Sequence, residues 1–170
     1  MANASWIKIH FRIINFVLCL KSSVFLHNQN LYIMIKNIHS IWAYIVLFAL
    51  VIAVINAVAG LVRKKEFTHK DFRLGLITLI TTHIQFLIGI FLYASSGRFN
   101  INGAVMKDSA ARLLAIEHPT VMLIAIILIT IGWSKHKKQV KSESKFKKFA
   151  IFYGIALVLI LSRIPWSNWL

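Results

Sequence analysis

A single cysteine, Cys19, stands among 170 residues. An internal disulfide is therefore excluded, and the paired spacing of a zinc or thiol-redox motif is missing as well. Charge is scarce too. Only 15% of the residues are charged, and five acids stand against 20 lysines and arginines. There is no phosphate-cradling glycine loop, no His-Glu-x-x-His and no serine triad. Internal repeats and low-complexity linkers are absent, so the length suits one domain. An enzyme acting on a soluble substrate would need more loop material than this chain offers.

What the chain does have is apolar surface. Its hydrophobic fraction is 58% and its mean hydropathy is +0.71, more than a soluble protein of this size can bury. Four apolar runs approach the roughly 20 residues of a bilayer span: about Ile41 to Val62, Leu74 to Ala94, Leu113 to Trp133, and the shortest, Phe149 to Ile164. Each is apolar all round, as a spanning helix is. Lipid offers the backbone no hydrogen-bond partners, so helices are expected. The expected fold is an all-α membrane protein, a four-transmembrane-helix bundle running up-down-up-down.

The formal net charge of +15 invites a nucleic-acid reading, but the basic residues sit in short loops between apolar runs. Membrane topology explains them better. Arg63 to Arg73 and Ser134 to Lys148 hold most of them; Ser95 to Arg112 holds Arg98, Lys107 and Arg112. The two basic loops are expected to face the cytoplasm, with both termini and the middle loop outward. Trp42, Trp166 and Trp169 then fall in an outer aromatic belt and Trp133 at the inner interface. In the middle loop Ser96-Gly97 and Asn102-Gly103 form turns, and Asp108 or Ser109 caps the third helix.

Residues 1–33 differ from the rest. Phe11 to Leu26 contains Arg12 and Lys21 and is too short and too charged for a span. A signal peptide is one reading, since Lys8 and Arg12 precede Ile13 to Leu20, but no small-x-small cleavage site follows. Residues 1–33 are expected to be a dispensable extension or a misassigned start. Met34 enters the first span directly, and residues 34–170 form the transmembrane domain.

Ionisable groups inside spans are costly and usually face the interior or a cavity. His83, Glu117, His118 and Arg163 stand out, flanked by His39 and Arg112. At roughly 1.5 Å per residue, His83 falls mid-span and the others in the outer half. On the third helix Asp108, Ala111, Ala115, His118, Met122 and Ala125 follow spacings of three and four. That stripe of mostly small residues suits close packing and turns His118 inward. Pro119 lacks a backbone donor and leaves the Ala115 carbonyl free, so a kink is expected there. On the second helix Gly75, Thr78, Thr82, Gln85 and Gly89 form a similar stripe, with His83 beside it. Each histidine taken alone reads most simply as an interhelical hydrogen-bonding group, and Glu117 as a partner of Arg112 or Arg163. Histidines on three helices together open a second reading, because neutral imidazole is a common metal and haem ligand. A third is a proton-linked carrier using Glu117 and His118. His10, His27, His69 and His136 receive no role.

At these residues the sequence resembles small bacterial four-helix membrane proteins described as cytochrome b-like. The resemblance covers Ile38 to Trp166. It rests on Ile38-His39-Ser40, Lys64-Lys65-Glu66-Phe67-Thr68, Thr82-His83-Ile84-Gln85, Met106-Lys107-Asp108-Ser109, Glu117-His118, Ile131-Gly132 and Ile164-Pro165-Trp166. Such proteins often carry an arginine four residues after the first histidine, where this chain has Ala43. The resemblance implies a multi-pass subunit of the bacterial inner membrane that binds haem b and passes electrons to a membrane redox partner or complex. A haem-free structural or assembly subunit is the alternative. His83 and His118 are the expected iron-ligating pair, about 5 Å apart in depth. His39 is a hydrogen-bonding or alternative ligand, and Arg112 and Arg163 would meet the propionates. No nucleic-acid partner is expected.

Overall fold

A computed structural model describes the backbone over residues 3–98 and 101–168 and the side chains over 29–98 and 101–167. Among the described residues every regular element is helical: α1 (Asn3–Val62), α2 (His69–Ser95), α3 (Gly103–Lys107), α4 (Ser109–Arg112), a π-helical turn (Leu113–Glu117), α5 (His118–Lys137), α6 (Ser142–Ser162) and a closing 3-10 turn (Trp166–Asn168). Three stretches are long and apolar enough to cross a membrane: Gln29–Val62, His69–Ser95 and Ser109–Lys137. In α6 the first turns carry Lys145, Lys147 and Lys148, so its apolar part begins only at Phe149. The expectation that residues 1–33 are dispensable falls mostly on side chains outside the described residues. Trp169 of the expected outer belt lies outside them too.

Helix α1 packs against α2 and α6, and α5 packs against the same two. Cross-contacts run antiparallel. Asn56 reaches Asp71 and Thr78 reaches Ala49 between α1 and α2, while Gly132 meets Tyr153 and His118 meets Arg163 between α5 and α6. The core is Leu50, Ala53 and Ala57 of α1, Ala125, Ile129 and Trp133 of α5, and Phe146, Phe149, Tyr153 and Ala156 of α6. Buried alanine on α1 every four residues, at Ala49, Ala53 and Ala57, lets the backbones approach, as in membrane helix packing. Two glycines act as sockets for rings. A methyl group at Gly60 would lie 2.6 Å from the Phe146 ring, and one at Gly75 would lie 2.5 Å from that of Phe149.

The outside is as apolar as the inside. Phe48, Ile55, Phe91 and Val158 are all more than 60% exposed, which water would not tolerate over so wide a face but lipid does.

At the basic end the chain is tied down by specific bonds. Thr68 donates both its backbone N–H and its hydroxyl to Asp71, at 2.8 and 2.6 Å, capping α2. Phe67 N–H donates to Ser142 Oγ at 3.0 Å, joining the two basic loops. One sequence expectation is corrected at this end, that of His136. Trp133, expected at the inner interface, turns inward and is buried among Phe72, His136 and Phe149. His136 is not a loop residue: α5 runs on to Lys137, and the imidazole stacks on Phe149 at 4.4 Å. The aromatic cluster absorbs an extra turn of helix that the lysine-rich sequence concealed. At the other end Gly97 takes φ +67° and Asn102 caps α3. Of the two candidate caps, Asp108 is the one used: its Oδ1 accepts from Ala110 and Ala111 N–H.

Candidate functional site

Pro119 organises the site. Without its N–H the α-helical bond to Ala115 cannot form. The chain widens to a π turn over Leu113–Glu117, and His118 N–H bonds Leu113 C=O, five residues back. Such turns are frequent at functional positions. The freed Ala115 carbonyl accepts a hydrogen bond from Tyr93 Oη of α2 at 2.9 Å. The expected kink beside His118 thus takes the form of a widened turn, sealed by a neighbouring helix.

His118 projects inward. Its Nδ1–H donates to the Arg163 carbonyl at 2.9 Å, which fixes the tautomer and leaves Nε2 as the lone-pair nitrogen. His39 comes from α1, and the two rings meet edge to face with centroids 6.3 Å apart and planes at 76°. Helix α2 holds His39 from the side. Gln85 Nε2 donates to the His39 carbonyl at 3.0 Å and lies 3.3 Å from both ring nitrogens. One turn on, a methyl group at Gly89 would sit 3.2 Å from His39 Cε1, so the small residue makes room for the ring. Gln85 Oε1 is buried and, among the described residues, has no hydrogen-bond partner.

The rim is ionic. Glu117 takes Arg112 Nε at 2.8 Å on one oxygen and Arg163 Nε at 3.4 Å on the other. Arg112 also donates to the Met106 carbonyl at 2.8 Å and Arg163 to that of Ser162 at 3.0 Å. Both arginines are committed to one acid.

His83 lies elsewhere. It is exposed. Its Nδ1–H donates to the Leu79 carbonyl at 2.7 Å, and Nε2 is 3.4 Å from Thr130 Oγ1. Thr130 is 12 residues beyond His118 on α5, about 18 Å along the axis. The expected depth difference of one turn between His83 and His118 is therefore corrected, and the two rings are not brought together. The axial offset keeps them apart, and His83 is also turned off the small stripe, since it is one residue past Thr82 and each residue turns a helix by about 100°. Thr78 and Thr82 of the small stripe are buried, and Gln85 and Gly89 meet His39, so the next position along faces out. Gln85 is the site residue that the reading of the sequence left without a role. Its signal was its place on that stripe. Among the described residues no group of three or more His, Cys, Asp or Glu side chains is arranged to hold a metal ion.

Comparison with protein-family models, with curated proteins and with solved structures found no match.

Proposed function

We propose that this chain is a four-span, up-down-up-down membrane bundle of the bacterial inner membrane, with its basic loops cytoplasmic, that binds haem b between His39 and His118 and serves electron transfer in a membrane complex. The observation that carries the reading is the meeting of two imidazoles from α1 and α5, helices that each pack against α2 and α6. The two rings lie 6.3 Å apart between centroids, close enough that a turn of either imidazole would aim its nitrogen toward the other, and neutral imidazole is a common metal and haem ligand. The donor set suits haem iron, for which histidine is a common ligand. His118 also has the outer-shell feature of a ligating histidine, the second ring nitrogen bonded to a backbone carbonyl. Haem would supply one-electron chemistry. The protein would supply the two ligands and a rim where Arg163, the looser partner of Glu117, can turn to a propionate.

A specific observation favours the haem-free structural reading as well. Arg112–Glu117–Arg163, His118–Arg163 and Gln85–His39 already cross-link the helix ends without a cofactor. A visible spectrum of the detergent-purified full chain, grown with ample haem, separates the two. A Soret band that shifts with dithionite supports the cytochrome reading. A colourless protein ends it and leaves the structural one.

A further inference from the structure

The outward face of α6 carries a feature that the histidine site does not use. A shallow groove of about 420 Å³ runs along it, lined by Ala150, Ile151, Gly154, Ile155, Val158 and Leu159. Its floor is open at Gly154, where an added methyl group would meet nothing within 4 Å. The groove lies directly below a cationic rim. Lys147 precedes Ala150 and Ile151 by three and four residues, and Lys148 precedes Ile151 by three, spacings that place side chains as neighbours on one face. Lys141 and Lys145 lie nearby, and the one acid on this stretch is Glu143, a turn before Lys147.

Length identifies the occupant. From Lys147 to Val158 is 11 residues, about 16 Å of helix, close to half of a hydrocarbon core roughly 30 Å thick. A cationic site at one interface, continued by an apolar channel one leaflet deep, matches a phospholipid with its phosphate at the lysines and an acyl chain in the groove. A second copy of the chain fits less well. A two-fold dimer joins the same patch on both subunits, so Lys147 and Lys148 of each would face those of the other, with Glu143 the one acid on the stretch to offset two lysines. We infer that this face of α6 binds one anionic phospholipid, its headgroup held by Lys147 and Lys148 and one acyl chain lying over Gly154. The inference rests on α6 spanning the membrane, and it is independent of whether haem binds.

Native mass spectrometry of the delipidated full chain with equal dioleoyl-phosphatidylglycerol and dioleoyl-phosphatidylcholine tests it. The expected result is one retained phosphatidylglycerol, preferred about tenfold or more over phosphatidylcholine. K147Q/K148Q should abolish that preference. Gly154→Phe, whose Cβ would meet nothing within 4 Å and whose ring would occupy the groove, should lower retention of both lipids while helix content by circular dichroism stays unchanged. Equal retention of the two lipids by the wild-type chain overturns the inference, as does a preference that survives K147Q/K148Q. A lipid-free dimer that Gly154→Phe dissociates also overturns it and makes the groove an interface between copies. Labelling of Val140→Cys and Ser167→Cys from opposite sides checks separately that α6 crosses the membrane.

Discussion

The Tyr93 hydroxyl donates to the Ala115 carbonyl at 2.9 Å, the acceptor that Pro119 four residues later leaves without its helical donor. One helix thereby repairs the backbone of another at the π turn that presents His118. An orphaned carbonyl inside lipid is costly, so the two residues should be energetically coupled. Tyr93→Phe is expected to destabilise the wild-type chain by about 0.5–1.5 kcal/mol. In a Pro119→Ala background, where the helix can supply its own N–H, the same change should cost clearly less. Detergent-titrated unfolding of the four proteins gives the double-mutant cycle, and additive effects would refute the coupling.

For the histidines, His39→Ala and His118→Ala should each remove the dithionite-responsive Soret band. His83→Ala and His136→Ala should leave it in place, because His83 sits about 18 Å along the helix axis from His118 and His136 is buried in the aromatic cluster at the far end. Arg163→Ala should weaken haem retention without altering the ligation spectrum. Loss of the band in His83→Ala and not in His39→Ala would reverse the assignment.

Glycine sockets should be intolerant where rings fill them. Gly75→Ala and Gly60→Ala force movement of Phe149 and Phe146 and should each destabilise by about 1–3 kcal/mol. Gly154→Ala, with open space around it, should fall well below either. Thermal unfolding in detergent ranks the three, and equal effects would contradict the packing described.

Topology follows from the basic loops. In a Cys19→Ser background, Asn102→Cys should react with an impermeant thiol reagent in intact spheroplasts. Val140→Cys, at a position 94% exposed in a basic loop, should react only after lysis. The opposite pattern would invert the orientation and put the histidine pair at the cytoplasmic side.

Much of this protein was legible as periodicity. Runs apolar on every side define helices suited to lipid, because an isolated backbone there must satisfy itself. Stripes of small residues at spacings of three and four marked inward faces on α2 and on the π turn with α5, and Thr78, Thr82, Ala115 and Ala125 are buried accordingly. Pro119 announced a freed carbonyl, since a missing donor is a covalent fact.

What the chain alone did not decide was register between helices. Periodicity gives a residue's face to within about 100° per position, which left His83 apparently eligible although it points outward. It gives no relative depth for residues on different helices. That His39 meets His118 and Gln85, and that His83 meets Thr130, depends on how α1, α2 and α5 slide along one another. Each of the three meets α6 through a ring against a glycine: Phe146 at Gly60, Phe149 at Gly75 and Tyr153 at Gly132. Those contacts join residues far apart in the chain, and only the packed structure brings them together.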